Sequence, residues 1–381
     1  MNIGILTFHR PINYGAFLQS FSLSSRLAKE PNFNVEIIDY IAPKEKLKIP
    51  INALWTLKHY GFSEFFHECA KIKAFANSVR NLRTSQKSFC TSKLENLYKY
   101  IDERYDVLVI GSDAVFNWNQ TGFPTAFIPS YHFKKCKVYS YAASVHGLRY
   151  KEVSQPIINE CHKALSRFEM VGARDLETEK FTKYCCPKAK VLHCCDPTIF
   201  IDLNAVFSKA NGYEERIQMK YGFSVDSEFV VVMLPDNQLN KQICEEFQDR
   251  YKIISLFKPA SRADYFLYDL SPFEWVAVLS KAKAVITSYF HGSLLSMKVG
   301  TPVLCVDYSK YDGEYEGKMY DLFIRRIHLP ELYNTYQTPF DTIKDKINKI
   351  LKTDYQRKIE DAFKAEEEYI NKFITSLNNC K

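Results

Sequence analysis

The sequence predicts an α/β protein with two doubly wound, Rossmann-like domains that face each other across a cleft. Three observations support this fold class. The 381 residues amount to about two to three typical domain lengths, so two hydrophobic cores are expected. Short, continuous apolar strands alternate with helical segments, as in parallel sheets covered by helices on both faces. The alternation starts again after Asp202, which predicts a domain boundary between residues 203 and 204.

The first domain, residues 1–203, is predicted to alternate strand and helix from its start. Apolar runs predict strands at residues 3–7, 35–40, 105–110, 138–142, 170–173 and 190–195. Helical periodicity begins at the Asn13 turn and returns at residues 154–168 and 176–184. A basic, aromatic and helical insertion at about residues 44–100 interrupts this alternation.

The second domain, residues 204–352, repeats the pattern. Strands are predicted at residues 229–234, 252–257, 284–287 and 302–306, and helices at residues 240–250, 272–282 and 292–299. The last segment, residues 353–381, is predicted to form a charged amphipathic helix that braces one or both domains. The architecture expected from these elements is two doubly wound domains.

The composition excludes several classes of protein. Apolar residues make up 46% and aromatic residues 15% of the chain, which is too much buriable surface for a disordered or fibrous protein. The net charge of +7 is modest for this length, so no nucleic-acid partner is expected. Because no apolar run approaches the roughly 20 residues that cross a bilayer and no signal peptide is evident, we expect a cytoplasmic protein.

The insertion has an uneven charge. Residues 44–93 contain ten Lys or Arg and three Glu, interleaved with Trp55, Phe62, Phe65, Phe66 and Phe75. One interpretation is a peripheral contact with a membrane surface, since basic and aromatic residues together suit anionic headgroups. The other interpretation is a helical subdomain with a solvated basic face and a buried aromatic face.

The eleven cysteines are an odd number and are scattered along the chain, as expected of reduced thiols. Two adjacent pairs flank His193: Cys185 with Cys186, and Cys194 with Cys195. Neighbouring residues of a strand point to opposite faces, so one pair cannot easily chelate one ion, and no C-x2-C unit occurs. Buried structural thiols are favoured over a zinc site, and no metal is predicted.

Five loops that follow apolar strands are candidates for a binding site. In open α/β sheets, ligands bind at the carboxyl ends of the strands. Glycines in such loops permit close backbone approach, and the following helix terminus favours an anion. Neither a G-x-G-x-x-G dinucleotide motif nor a P-loop occurs. The loops contain Asn13-Tyr14-Gly15, Gly111-Ser112-Asp113, Ser144-Val145-His146-Gly147, Gly172-Ala173-Arg174-Asp175 and Ser288-Tyr289-Phe290-His291-Gly292.

His291 is the strongest single candidate for a catalytic residue. It follows a predicted strand and stands one residue before Gly292, where we expect a helix to start. An imidazole close to a positive helix end suits proton transfer beside a phosphate. The alternative is a capping or packing histidine.

These motifs occur in an order that resembles the polysaccharide pyruvyl transferase family. The similarity covers roughly residues 1–330. It includes Tyr141-Ala142-Ala143-Ser144, Asp196-Pro197-Thr198 and Gly300-Thr301-Pro302 in addition to the loops given above. The resemblance implies a GT-B-like fold and transfer of pyruvate from phosphoenolpyruvate to a sugar as a ketal. It implies no cofactor, because phosphoenolpyruvate is the donor substrate.

The resemblance also implies roles for single residues. His291 matches the family histidine, our candidate general acid and base, and Arg174 matches an arginine that contacts the donor. Lys310 matches a basic residue that follows the histidine, with Lys318 as a competing candidate, and His146 matches a second histidine. The donor site is completed by Tyr289, Gly292 and Ser293, and the acceptor site by Asn13, Tyr14, Gly15 and Ser112.

Two features of this assignment are left open by the sequence. Many relatives carry Arg where this chain has Tyr289, which offers one neutral hydrogen bond instead of a charged fork. Asp113 fits either a base that deprotonates or binds the sugar hydroxyl, or a structural turn residue.

The acceptor implied by the resemblance is a capsular or exopolysaccharide repeat unit. We expect it to be lipid-linked at the inner face of the cytoplasmic membrane. Two alternatives to pyruvyl transfer fit the same two-domain pattern: a glycosyltransferase that uses a nucleotide sugar, and a non-catalytic sugar-binding protein.

Overall fold

The computed structural model describes residues 1–309 and 317–379, and its contacts divide the chain into two units. The N-terminal unit consists of Met1–His59, Val79–Ile201 and the chain from Ala365 onward. The C-terminal unit consists of Tyr60–Ser78 and the described part of Asp202–Lys364. Each unit is an α/β domain built on its own sheet.

In the described part of the chain, the sheet of the N-terminal unit has six parallel strands in the order β2-β1-β3-β4-β5-β6. These strands are β1 (Asn2–Leu6), β2 (Asn34–Ile37), β3 (Val107–Ile110), β4 (Lys137–Ala143), β5 (Phe168–Ala173) and β6 (Val191–His193). All four residues of β3 are buried, as its continuous apolar sequence predicts for a central strand covered on both faces.

The helices of the N-terminal unit connect successive strands. They are α1 (Tyr14–Ala28), the first part of α2 (Pro43–Val79), α3 (Glu95–Arg104), α4 (Trp118–Thr121), α5 (Gln155–Leu165) and α6 (Leu176–Cys185). Asn13 begins α1 as its N-cap, because its side-chain oxygen accepts a hydrogen bond from the Ala16 N–H at 3.1 Å. Gly61, with φ of 85°, interrupts α2.

The sheet of the C-terminal unit likewise contains six parallel strands among the described residues, in the order β12-β11-β10-β7-β8-β9. These strands are β7 (Phe229–Met233), β8 (Lys252–Leu256), β9 (Tyr265–Leu267), β10 (Ala284–Thr287), β11 (Val303–Asp307) and β12 (Tyr333–Thr335). The central strands β7, β10 and β11 are buried throughout. This sheet therefore has the same covered core as the first.

The remaining helices follow along the chain. They are α7 (Leu203–Lys209), α8 (Tyr213–Tyr221), α9 (Gln238–Phe247), α10 (Pro272–Lys281), α11 (Phe290–Lys298), α12 (Lys318–Tyr320), α13 (Phe340–Ile350) and α14 (Gln356–Asn378). The last helix contributes its first turns to the C-terminal unit and, from Ala365, its remainder to the N-terminal unit. There, Phe373 packs edge-on against Tyr141, with ring centroids 4.9 Å apart.

Several elements differ from the sequence prediction. The short edge strands β9 and β12 were not predicted, nor were the helices α7, α8 and α13. The prediction also placed the whole insertion in the first domain, whereas Tyr60–Ser78 packs with the C-terminal unit. A local contact explains this packing: the His67 ring stacks on Tyr268 with ring centroids 3.9 Å apart.

None of the helices in residues 1–309 and 317–379 combines the length and the apolar character that crossing a membrane requires.

Candidate active site

The loops identified in the sequence lie at the carboxyl ends of strands in both sheets. In the N-terminal unit they follow β1, β3, β4 and β5, and in the C-terminal unit the His291 loop follows β10. Because β3, β4, β5 and β6 are neighbours in one parallel sheet, their loops meet at one edge.

Arg174 is the centre of a charged cluster at this edge of the N-terminal sheet. Only 2% of the residue is exposed. Its Nη1 lies 3.3 Å from Oδ2 of Asp196 and 3.6 Å from Oδ1 of Asp113, and its Nε lies 4.0 Å from Oδ2 of Asp175. The structure thus brings together Arg174 and Asp113, two predicted site residues, and surrounds the guanidinium with carboxylates.

Local hydrogen bonds fix two of these carboxylates. Oδ1 of Asp196 accepts from the N–H of Thr198 at 3.0 Å and from its hydroxyl at 2.7 Å, and the amide of Gln19 donates to Oδ2. Asp175 caps helix α6 by accepting from the Thr178 N–H at 2.9 Å, and the Ser144 hydroxyl donates to its Oδ2 at 2.5 Å. Arg174 is therefore held by anchored partners.

The loop after β3 places Asp113 with a positive φ of 78°. Its carbonyl accepts from the Ser144 N–H at 2.9 Å. A Cβ at Gly111 would stand 2.3 Å from the Tyr141 carbonyl oxygen, so this close approach requires glycine. Ser112 is wholly buried, and its carbonyl accepts from the Thr7 hydroxyl at 3.2 Å. Its assignment to the acceptor stays a prediction that this burial does not favour.

The other residues predicted for the N-terminal unit are more dispersed. Asn13 is exposed at the start of α1, whereas Tyr14 and Gly15 are buried. His146 is half-buried; its N–H donates to the Ser144 hydroxyl at 3.2 Å, and its carbonyl accepts from the Asn117 amide at 2.7 Å. Asn13 is thus the member of the predicted acceptor set that the structure leaves on the surface.

A second polar cluster, at the carboxyl ends of β1 and β2, was not predicted. His9 is fully buried, and its Nε2 lies 3.2 Å from Oδ1 of Asp39. Nε of Arg10 donates to the same oxygen at 2.7 Å, while its Nη2 and the Ser88 hydroxyl donate to Oδ2. Burial alone would raise the pKa of Asp39, but hydrogen bonds from His9, Arg10 and Ser88 outweigh it and hold that pKa well below its usual range.

In the C-terminal unit, His291 lies in the first turn of α11. The helix begins at Phe290, two residues earlier than the sequence predicted, because Tyr289 is the extended N-cap residue. The predicted start at Gly292 is therefore wrong. His291 is 8% exposed, and its ring meets the Phe290 ring edge-on at 5.3 Å between centroids. The histidine stands where the backbone N–H groups of a helix start are not paired within the helix.

Close packing fixes this helix start. A Cβ at Gly292 would lie 2.7 Å from Oγ1 of Thr287 and 2.9 Å from Cε of Met233, so a larger residue requires a shift of α11 or of these side chains. Ser293 is fully buried, and its hydroxyl donates to the Tyr289 carbonyl at 3.4 Å. Gly292 and Ser293 consequently position His291 through packing.

Tyr289, for which the family resemblance implies an Arg in many relatives, is the N-cap residue of α11. It is 37% exposed, its N–H donates to Oγ1 of Thr287 at 2.9 Å, and its ring contacts Phe257 with centroids 5.7 Å apart. Burial raises the pKa of its hydroxyl, so the side chain is neutral at physiological pH. It supplies no positive charge to a donor.

One of the two competing lysines lies beside the His291 helix. Nζ of Lys318 is 5.3 Å from the centroid of the Phe290 ring, a cation–π contact next to His291. Lys310 lies outside the described residues.

An aromatic pair at the same edge was also missed. The rings of Tyr308 and Tyr336, which follow β11 and β12, stack with centroids 5.5 Å apart and an interplanar angle of 13°. The Asn237 amide, after β7, donates to the Tyr308 hydroxyl at 2.9 Å. Tyr308 and Asn237 could have been found by the rule that selected His291, since both lie in loops that follow apolar strands.

A groove of about 710 Å³ lies elsewhere, at the amino ends of β4, β5 and β6. Its basic lining residues, all exposed, are Lys134, Lys135, Lys137, Arg167, Lys188 and Lys190. Because ligands of open α/β sheets bind at the carboxyl ends of strands, we place the candidate active site away from this groove.

The predicted cysteine pairs, Cys185 with Cys186 and Cys194 with Cys195, are buried. Within the part of the chain that the structure describes, no group of three or more His, Cys, Asp or Glu side chains is placed to hold a metal ion.

Solved structures with a similar fold include UDP-GlcNAc 2-epimerases. That of Methanocaldococcus jannaschii is 11% identical with a TM-score of 0.55, and the match covers 93% of each chain. That of Neisseria meningitidis bound to UDP-GlcNAc is 11% identical with a TM-score of 0.55, covering 98% of this chain and 100% of the other. A putative one from Listeria monocytogenes is 8% identical with a TM-score of 0.57, covering 99% and 95%.

At such low identity these similarities establish the fold alone. Together with the two parallel sheets and the polar loops at their carboxyl ends, they define the chain as a GT-B-fold α/β protein, which confirms the predicted fold class.

A sequence model of the family named polysaccharide pyruvyl transferase matches residues 13–310. The chain belongs to that family, as its motifs predicted, and is a transferase of polysaccharide biosynthesis. No curated protein sequence matches it significantly.

Proposed function

We propose that the protein transfers pyruvate from phosphoenolpyruvate to two hydroxyls of one sugar, forming a cyclic ketal and releasing phosphate. The observation that carries this proposal is the position of His291. In a member of the pyruvyl transferase family, this histidine stands in the first turn of α11 at the carboxyl end of β10. An imidazole at a helix N-terminus is suited to proton transfer beside a bound anion.

The donor brings a phosphate and a carboxylate, which need cationic side chains and backbone N–H donors. In the proposal, the start of α11 and Lys318 hold these groups in the C-terminal unit, with Lys310 as the other candidate. Tyr289 adds one neutral hydrogen bond. Lys318 takes over the charge that relatives obtain from Arg, which is consistent with its contact with Phe290.

The chemistry needs one proton delivered and two removed. His291 protonates the methylene carbon of phosphoenolpyruvate, which creates an oxocarbenium-like centre at C2. The first sugar hydroxyl attacks C2 and loses its proton. Phosphate then leaves with the C2–O bonding pair, and the second hydroxyl closes the ring with loss of its own proton. This reaction sequence requires no oxidant, reductant or cofactor.

The residues predicted for the acceptor and for its deprotonation belong to the N-terminal unit. Asp113 accepts a proton from the attacking hydroxyl, and Arg174 fixes the orientation of that carboxylate through the 3.6 Å ion pair. Arg174 also remains our candidate for contact with the anionic donor, phosphoenolpyruvate. His146 is a further candidate for contact with the same donor. The exposed Asn13 contacts the sugar, and the buried Tyr14 and Gly15 support the backbone of the same loop.

We propose a capsular or exopolysaccharide repeat unit as the acceptor. It would be lipid-linked, with galactose or a mannose-type hexose as the modified sugar, and the reaction would occur at the inner face of the cytoplasmic membrane. Family membership supports a polysaccharide acceptor and leaves these details as proposals.

The test is incubation of the purified protein with phosphoenolpyruvate and a panel of lipid-linked sugars. We expect phosphate release in equal amount to a sugar product that has gained one pyruvyl ketal. Thermal shifts provide the control: phosphoenolpyruvate should stabilise the protein, and uridine nucleotides should not. Stabilisation by a uridine nucleotide alone would point to nucleotide-sugar transfer instead.

A further inference from the structure

The first part of α2 exposes an apolar stripe that resembles a core-facing surface. Leu47, Ile51, Leu54 and Trp55 are 61%, 57%, 60% and 51% exposed. At 100° per residue these four side chains span about 100° of the helix circumference, the width that normally faces a core. Ala53, on the opposite side of the same helix, is buried. The helix therefore rests on the domain by its other face and presents the stripe to solvent.

Lysines frame the stripe. Lys44 and Lys58 are exposed and fall on the same side of the helix as the stripe, one before it and one after it. Nζ of Lys44 lies 3.4 Å from the Asn119 carbonyl oxygen. The acid in this stretch, Glu45, is already paired with Lys48 at 2.5 Å. The surface thus combines exposed aliphatic and indole groups with a positive charge at each end.

We propose that this stripe docks the protein on an anionic phospholipid bilayer. The proposal rests on the proposed function in one respect: an enzyme whose acceptor is lipid-linked must act at a membrane surface. Leu47, Ile51 and Leu54 would enter the headgroup boundary, Trp55 would lie at the interface, and Lys44 and Lys58 would pair with phosphates. A symmetric contact between two copies is disfavoured, because antiparallel stripes would bring the lysines of the two chains together.

Vesicle flotation tests the docking surface. We expect the protein to float with vesicles of equal parts phosphatidylglycerol and phosphatidylcholine, and not with pure phosphatidylcholine or at high salt. The stripe variant Leu47→Gln/Ile51→Gln/Leu54→Gln should lose flotation. The charge variant Lys44→Gln/Lys58→Gln should bind about 25-fold more weakly, from about fivefold per lysine.

Two matched controls keep the comparison specific. The variant Tyr184→Gln/Met219→Gln removes apolar side chains that are 49% and 82% exposed elsewhere, and should float like wild type. The variant Lys134→Gln/Lys188→Gln removes charge from the basic groove and should also float like wild type. If this groove variant loses flotation and the stripe variant does not, the proposal is wrong.

Tryptophan fluorescence gives an independent measurement. Trp118 and Trp275 are 6% and 2% exposed, so the solvent-sensitive emission comes from Trp55. Anionic vesicles should shift the emission to shorter wavelength in wild type and not in Trp55→Phe, which should still float. No shift in a protein that floats would remove Trp55 and its stripe from the contact.

The outcomes are separable from those of the catalytic proposal. The stripe variant should retain wild-type kcat on a water-soluble acceptor analogue and lose activity only on acceptor in vesicles. Flotation that depends on the stripe in a protein without pyruvyl transfer would refute the proposed function and leave the docking surface standing. Concentration-dependent dimers that the stripe variant abolishes would assign the stripe to a second copy and overturn the inference.

Discussion

His291 is buried and lies at the N-terminus of a helix, and both properties affect its chemistry. It is 8% exposed in the first turn of α11, so water has limited access to its ring. The positive end of the helix favours an anion beside it. His291 could be identified from the sequence, because its loop follows an apolar strand and its motif takes its place in the order that resembles the family. The His9–Asp39 pair was missed since its partners are 30 residues apart and meet only through the pairing of β1 with β2.

His291→Ala should lower kcat about 10²- to 10⁴-fold while leaving the fold and much of the donor affinity intact, because one proton-transfer group is lost. Steady-state kinetics with phosphoenolpyruvate and circular dichroism measure both effects. The control is His132→Ala, an exposed histidine at the basic groove. A variant that keeps more than about a tenth of wild-type kcat would exclude the acid–base role.

Arg174→Ala should raise KM for phosphoenolpyruvate roughly 10- to 150-fold, the equivalent of about 1.5 to 3 kcal/mol for a lost charge-assisted contact. It should also reduce the free energy of unfolding by about 3 to 5 kcal/mol, because Asp196 and Asp113 lose a buried partner. Steady-state kinetics measure the change in KM, and chemical unfolding measures the change in stability, so the two effects can be separated. Lower stability with an unchanged KM would make Arg174 a purely structural residue.

Asp39 should make folding stability depend on pH in the acid range. Its folded pKa lies below the unfolded value, so its contribution is complete above about pH 4 and is lost as pH falls through the folded pKa. Asp39→Asn should therefore lower the melting temperature at neutral pH, and the gap to wild type should narrow toward about pH 3. A gap that stays constant across this range would contradict the depressed pKa.

At the scale of elements, the continuous apolar strands were predictable and the short edge strands were not. Each of β9 and β12 has only three residues, too few to show an alternating pattern. The sequence predicts the start of α11 two residues too late, because Gly292 resembles a helix-start signal. Its real function is close packing, since a Cβ there would meet Thr287 and Met233.

Gly292→Ala should therefore displace the start of α11 and reduce both kcat and donor affinity, because His291 and the backbone N–H groups proposed to hold the donor move with the helix. We expect a loss of roughly tenfold or more, with a lower melting temperature. Lys298→Ala, at the other end of the same helix, is the control and should behave as wild type. Full activity in Gly292→Ala would show that the position of α11 is not critical.

At the scale of the molecule, the repeat of the βα pattern after Asp202 indicated two α/β units, and the order of the motifs indicated the family. The assignment of residues 60–78 to the C-terminal unit was beyond the sequence. It depends on contacts such as that of His67 with Tyr268, which are 201 positions apart in residue number and carry no local signal.

The central claim is that phosphoenolpyruvate is protonated at its methylene carbon and becomes a sugar ketal. The most direct test is to run the reaction in D₂O with phosphoenolpyruvate and the lipid-linked sugar, and to analyse the product by mass spectrometry and NMR. We predict a ketal whose methyl group carries one deuterium, one phosphate released per ketal, and formation of both products at least about 100-fold more slowly with His291→Ala. A ketal without deuterium, or sugar transfer that requires a nucleotide sugar, would contradict the account.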